Sequence, residues 1–148
     1  MNSQNEIMKL TKNFDLEEFT YSPTAKKHKI NNKPTGQLII DNLTNLCVEV
    51  LQPLRDKIGK PITINSGYRC LKLNEKVGGV PTSQHCMGQA CDFVVEGMTP
   101  YEVVKVILEL NLPFDQVGLY DTFVHISYGE RHRRHLFYNK SYKGKVFD

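Results

Sequence analysis

The amino-acid sequence predicts an α+β fold with a mainly antiparallel sheet and flanking helices. An amphipathic helical segment comes early in the chain, and several short segments of alternating or apolar residues follow it. Two of these later segments are separated by only two residues, which is typical of a hairpin. A helix followed by strands interleaved with short helices indicates the α+β class.

The chain of 148 residues fits one domain, in which residues 1–12 are polar and are expected to form a loose tail. Its 40% hydrophobic and 24% charged residues are typical of an ordinary globular protein, and a net charge of +3 does not by itself indicate nucleic-acid binding. No segment reaches the roughly 18 apolar residues of a membrane span, and the N-terminus lacks a secretory signal pattern. We therefore expect a monomer made in the cytoplasm, without membrane insertion.

The first half of the chain contains the longest predicted helix. Residues 13–19 predict a short capped turn with apolar anchors, and residues 22–36 predict a polar connection. From Gln37 to Lys57 the apolar residues recur at three- and four-residue steps, which predicts an amphipathic helix. Pro53 should kink or end this helix, because proline lacks a backbone donor and crowds the preceding turn.

The second half of the chain alternates short strands with short helices. The predicted elements are a strand over 61–66, a helix over 70–77, a helix that begins at Thr99 with a capping box to Glu102, and hairpin strands over 116–120 and 123–128.

His85, Asp92 and His125 are candidate metal ligands. His85 and Asp92 flank a short glycine-containing loop that precedes an apolar strand, and His125 lies within another apolar strand. Two imidazoles and one carboxylate form a ligand set that suits hydrolytic zinc, which keeps a position open for an acidified water. Spacing alone is a weak signal, because a histidine on an apolar strand is more often a hydrogen-bonded core residue.

Cysteines and a basic segment offer competing sites. Cys86 and Cys91 flank the candidate ligands, so a closed structural zinc site with thiolate ligands is conceivable. Cys91 neighbours Asp92 on a strand, however, and should point to the opposite face. The segment 130–135 is interpreted as a solvated basic stretch, with a second metal or phosphate site as the alternative, and its charge could help to hold an anionic polymer.

The segment 83–92 matches the motif S-x-H-x-x-G-x-A-x-D at every fixed position. It resembles the signature of the D-Ala-D-Ala metallopeptidases, the M15 peptidase family, and the resemblance covers about residues 14–137. The further similar segments, in the same order as in the family, are 66–69 (S-G-Y-R), Asn74, 77–80, 123–127 and Arg133-Arg134 with Leu136. The last of these is similar to the small phage- and Bacteroides-type branch, which suggests a phage or prophage origin.

The resemblance implies a hedgehog/D-Ala-D-Ala peptidase-like fold and one Zn²⁺ held by His85, Asp92 and His125. It implies hydrolysis of peptide bonds in peptidoglycan stem peptides, as a D,D-carboxypeptidase or an endopeptidase, by a metal-activated water. If this substrate lies outside the cell, the protein must reach the wall by release or by an unknown export route.

The resemblance also assigns roles to residues around the metal. Arg69 would stabilise the developing oxyanion of the scissile carbonyl. Tyr68 and Ser83 are expected to bind substrate, although Ser83 could instead fix its own loop.

The general base is where the sequence departs from the family. The positions at which family branches carry a carboxylate are occupied by Thr122 and Tyr120, so Asp121 is the nearest candidate base. Asp121 could equally be an ordinary turn aspartate. The alternatives to an enzyme are therefore a non-catalytic zinc-containing cell-wall binding module, or a nucleic-acid-binding accessory protein whose affinity falls steeply with salt.

Overall fold

The structure, a computed structural model, describes residues 7–148 and has the predicted α+β class. The elements in chain order are β1 (Lys9–Thr11), β2 (Phe14–Asp15), α1 (Leu16–Thr20), α2 (Pro23–Lys27), α3 (Gln37–Leu46), a π-helical segment (Cys47–Leu51), α4 (Gln52–Ile58), β3 (Ile62–Ser66), α5 (Leu71–Lys76), a 3₁₀ turn (Gln84–Met87), β4 (Ala90–Val95), α6 (Pro100–Glu109), β5 (Gln116–Leu119), β6 (Val124–Ser127) and β7 (His135–Tyr138).

The N-terminal segment is more ordered than its polar composition predicted. Residues 1–6 of the expected loose tail lie outside the described residues, but Lys9–Thr11 form β1 and pair with β2. The Thr11 hydroxyl donates to Gln52 Oε1 at 2.7 Å, which ties this hairpin to α4. The expected polar connection over 22–36 also contains α2, because Ser22 caps it by accepting from the Ala25 amide at 3.1 Å.

The long helix does not end at Pro53, as the sequence suggested it could. It runs from Gln37 to Ile58, and the turn before the proline widens into the π-helical segment, where the Gln52 amide donates to the Cys47 carbonyl. A π-helical turn accommodates an irregularity in the ladder without ending the helix. None of the helices within residues 7–148 is long and apolar enough to cross a membrane.

The main sheet has five strands in the order β3-β4-β6-β5-β7. The β5–β6 hairpin forms as predicted, with the Tyr120 amide donating to the Phe123 carbonyl at its turn. The strand β7 was not predicted, because a run of charged residues precedes its short alternation. It pairs in parallel with β5, whereas the other three pairings are antiparallel, so the sheet is mixed.

The two faces of this sheet carry different kinds of side chain. Alternation along β4 and β6 directs Phe93, Val124 and Ile126 into the core, where they pack with apolar residues of the helices. The same alternation directs Asp92 and His125 to the opposite, partly open face. The helices therefore cover one face of the sheet, and the polar side chains on the other face stay accessible.

Gly118 provides a test of how β7 docks on this sheet. A Cβ at this position would collide with the ring of Phe137 on β7. We expect Gly118→Ala to lower the free energy of unfolding by about 1–3 kcal/mol, because the ring must move away from β5. Urea unfolding measures the change, with Gly36→Ala as control because a Cβ there meets no atom within 4 Å. Equal stability of the two variants would contradict this packing.

Candidate metal centre

Asp92 and His125 lie directly opposite each other in the sheet. They are register partners in the antiparallel pairing of β4 with β6, so their side chains leave the same face. The carboxylate Oδ1 of Asp92 accepts from His125 Nδ1 at 2.9 Å. Two of the three predicted ligands are thus brought together by strand pairing alone.

The third predicted ligand, His85, reaches the same place from the 3₁₀ turn. Its Nδ1 lies 2.8 Å from the carbonyl oxygen of Gly67. Because a carbonyl can only accept, Nδ1 carries the hydrogen and donates, which leaves the unprotonated Nε2 free to bind a metal. This Nε2 lies 3.5 Å from Asp92 Oδ1, and the side chain is almost completely buried.

The three side chains fit the donor set of a zinc site. One ligand atom from each lies within 4.8 Å of the other two. In tetrahedral coordination with bonds of about 2.0–2.2 Å, ligand atoms are on the order of 3.4 Å apart, which is comparable with the observed separations. Two imidazoles and one carboxylate would hold the ion and leave it open to water or substrate.

Asp92 is ionised at neutral pH. Burial acts to raise the pKa of Asp92, but the hydrogen bond from His125 and the proximity of the His85 imidazole outweigh this effect and hold the pKa of the carboxyl well below its usual range. The site therefore presents a permanent negative charge between two imidazoles, which favours a cation.

The cysteines do not join this group. Cys91 is completely buried in the core on the other face of β4, and burial raises the pKa of its thiol well above the usual value. Burial also raises the pKa of Cys86. Within residues 7–148 the residue group that could hold a metal contains no thiol, which agrees with the alternation argument against a thiolate site.

Arg69 and Ser83 are both tied to the His85 loop. The Arg69 amide donates to the His85 carbonyl at 3.1 Å, and its Nη2 donates to Ser83 Oγ at 3.2 Å. Ser83 Oγ also accepts from the His85 amide at 3.1 Å, so this hydroxyl helps to fix the loop. The Arg69 Nε is buried without a hydrogen-bond partner among the described residues. The guanidinium thus retains a donor for a ligand.

The loop from Gly67 to Cys70 is fixed by residues that were not among the predicted site residues. Asn32 is buried, donates to the carbonyls of Thr20 and Tyr68 at 2.9 Å, and accepts from the Cys70 amide at 2.7 Å. A Cβ on Gly67 would lie 2.6 Å from the backbone oxygen of Phe19, so only glycine fits there. Tyr68 is almost fully buried and lies beside a cavity of about 190 Å³ that Arg69 also lines.

Asp121 lies at the tip of the β5–β6 hairpin. It is exposed, and its Oδ1 accepts from the Lys143 amide at 2.8 Å. It does not belong to the group formed by the three candidate ligands. Tyr120 stands at a position where the family can carry a carboxylate, and it stacks on Phe123 with 4.3 Å between the ring centroids. Burial raises the pKa of the Tyr120 hydroxyl, and the negative charge of Asp92 adds a smaller increase.

Asp115 organises the opposite side of the centre, and the sequence analysis did not identify it as a site residue. This buried carboxylate accepts from Arg133 Nε at 2.6 Å, from Arg133 Nη2 at 2.8 Å and from Gln84 Nε2 at 3.0 Å. Gln84 immediately precedes His85, so the network joins the ligand loop to the basic segment before β7. The charged run 130–135 was visible in the sequence, but its partner Asp115 had no distinguishing pattern.

The fold and the three-residue group define a protein with a zinc-type site on the open face of an α+β sheet. Comparison with known families agrees with this class. The chain belongs to the family described as peptidase M15, whose sequence profile matches residues 12–127.

A partial relative carries a more specific description. Over 43 residues the chain is 46% identical to the zinc D-Ala-D-Ala carboxypeptidase of Streptomyces albus G. This match covers 28% of the chain and 17% of the relative. It supports membership of the family and zinc as the metal.

The Asp115 network generates a prediction about acid stability. Hydrogen bonds from Arg133 lower the pKa of Asp115 from 3.8 to about 2. A depressed carboxyl pKa stabilises the fold above pH 4, and this contribution is lost as the pH falls toward 2. Asp115→Asn, which keeps one acceptor oxygen, should therefore cost on the order of 1 kcal/mol at pH 7, because solvent screens the exposed Arg133, and little at pH 2.

Urea unfolding of the wild type and Asp115→Asn between pH 2 and pH 7 measures this difference. A difference between the two proteins that does not change with pH would mean that the carboxylate charge is not the stabilising feature.

Proposed function

We propose that this protein hydrolyses peptide bonds in bacterial peptidoglycan stem peptides, using one zinc ion held by His85, Asp92 and His125. The observation that carries the proposal is the convergence of three ligand side chains on the open sheet face, next to a loop to which Arg69 is hydrogen-bonded. This combination supplies a cation site and a positive group for a developing oxyanion.

Each residue has a role that follows from its contacts. When bound, zinc supplies Lewis acidity that lowers the pKa of a water in the fourth coordination position. His85 is oriented for ligation by its hydrogen bond to Gly67, and Asp92 supplies the anionic oxygen. Such outer contacts fix the tautomer and the angle of a ligand.

Arg69 is proposed to bind the carbonyl oxygen of the scissile peptide. Its backbone is bonded to the carbonyl of His85, so the guanidinium and the ligand loop form one unit. A preformed positive donor needs little reorganisation when charge develops on the oxygen. Ser83 is proposed to orient Arg69, with which it shares a hydrogen bond, and Tyr68 to line the adjacent substrate cavity.

The choice of peptidoglycan as substrate rests on the family and on the printed activity of the partial relative. Hydrolysis at a terminal D-alanine and cleavage within a stem peptide are both compatible with the open sheet face. We also propose that the protein has a hedgehog/D-Ala-D-Ala peptidase-like fold and is a monomer. We further propose that it belongs to the small phage- and Bacteroides-type branch of the family.

A specific contact favours a second function, a zinc-containing cell-wall binding module that does not cut. Asp121 is the proposed general base, because it is the carboxylate nearest His125 in sequence. Its Oδ1 is already occupied by the Lys143 amide. A base must reach the attacking water through a hydrogen bond, so this contact competes with catalysis.

The metal site predicts zinc content. We expect about one zinc ion per chain in protein purified without chelator, with loss of zinc in both His85→Ala and Asp92→Ala, because each removes one of three ligands. His28→Ala is the matched control, since His28 is exposed and outside the ligand group. Elemental analysis, with circular dichroism to verify folding, measures the result. Zinc retained in folded ligand variants would exclude this site.

Hydrolysis is tested by incubating the zinc-loaded protein with purified muropeptides and following their masses. We expect the loss of a terminal residue or the appearance of shorter stem peptides. Zinc retention and peptide binding without any new mass would favour the binding module instead.

The variant Asp121→Asn tests whether Asp121 is the general base. Asparagine keeps an oxygen that accepts from the Lys143 amide, so the turn is preserved and only the carboxylate is lost. If Asp121 is the base, kcat should fall by about 10²–10⁴-fold with little change in KM. An active enzyme in which this variant retains wild-type kcat would place the base elsewhere.

A further inference from the structure

A second feature of the open face lies beside His125. A cavity of about 340 Å³ is lined by His125 and Ser83 on one side and by Arg131 and Arg133 on the other. Gln84 and Gln116 complete its polar wall. The cavity therefore connects the candidate metal centre with the basic segment that precedes β7.

The two arginines of this cavity are not equivalent. Arg133 holds Asp115 through two hydrogen bonds of 2.6 and 2.8 Å, so its charge is compensated by a carboxylate that is almost completely buried. A bidentate pair of this kind has a defined geometry and keeps the arginine in place. Arg133 therefore shapes the cavity wall without adding net charge to it.

Arg131 contributes the uncompensated charge. It is exposed and forms no hydrogen bond or ion pair with any residue in the described range 7–148. Its neighbour Glu130 lines a different cavity. No acidic residue lines the cavity that Arg131 shares with His125, so none of the lining residues neutralises the charge of Arg131.

We propose that this cavity is a carboxylate-binding subsite in which Arg131 recognises an anionic group of the substrate. Arginine presents paired donors that match the two oxygens of a carboxylate. A peptide bound at His125 would extend its carboxylate along the wall that carries Ser83 and Arg133. Arg131 is then a specificity-determining residue that selects acidic over neutral peptides.

This inference deepens the proposed function and rests on it for the identity of the peptide. A stem peptide can offer a carboxylate at its C-terminus or on the side chain of an acidic residue. Both sources share the chemistry that Arg131 recognises. Four matched peptides distinguish them: the free acid, the C-terminal amide, the side-chain amide and the double amide.

Binding of the dye-labelled peptides to the zinc-loaded full chain is measured by fluorescence anisotropy, before measurable cleavage. We expect the wild type to bind the acid about 10-fold more tightly than the amide that lacks the recognised carboxylate, because charge-assisted bonds are strong. Arg131→Gln should abolish this preference while leaving the affinity for the double amide unchanged. Arg131→Lys should restore part of it, since the charge is kept.

Lys140→Gln is the matched control, because it removes one exposed positive charge outside this cavity. Equal loss of affinity in Lys140→Gln and Arg131→Gln would reduce the effect to general electrostatics and overturn the subsite. A wild type that binds acid and double amide equally would also overturn it.

The outcomes separate the two proposals. If the acid preference depends on Arg131 and no peptide is cut, the subsite stands and hydrolysis fails. If peptides are cut and Arg131→Gln treats acid and amide as the wild type does, hydrolysis stands and the subsite fails.

Discussion

The antiparallel pairing of β4 with β6 is the constraint on which the candidate metal centre depends. It sets Asp92 opposite His125, and their 2.9 Å contact follows from that register. A shift of β4 by one residue would turn Asp92 into the core and bring Cys91 to the open face, because side chains alternate along a strand. The apolar partners Phe93 and Val124 oppose such a shift, since they pack with the helices on the other side. The core therefore specifies the position of the ligands.

The third ligand depends on a different kind of interaction, the mutual support of two loops. The carbonyl of Gly67 binds the imidazole of His85, and the carbonyl of His85 binds the amide of Arg69. The loop from Gly67 to Cys70 is in turn held by hydrogen bonds of Asn32 and by the close approach of the Phe19 backbone to Gly67. Ligand and guanidinium thus form a single hydrogen-bonded unit, so a change in either loop is expected to disturb both.

Much of this organisation was predictable from the sequence, for local reasons. The helix begun by Thr99, the hairpin around Asp121 and the convergence of His85, Asp92 and His125 follow from capping, alternation and motif spacing. The strand β7 was not predicted, because its pairing with β5 is long-range and a run of charged residues precedes it. The helix over 37–57 was predicted, but the sequence left open whether Pro53 kinks or ends it, since a widened turn has no simple sequence pattern.

The sequence by itself determined the class of fold, the family resemblance and the candidate zinc ligands, because these are properties of residue type and spacing. Only the tertiary structure decided which groups support them. It joined Asp115 to Arg133, left Arg131 uncompensated beside His125, and directed Asp121 to the Lys143 amide. These contacts link residues distant in the chain, and charge or polarity alone does not specify which partner a side chain meets.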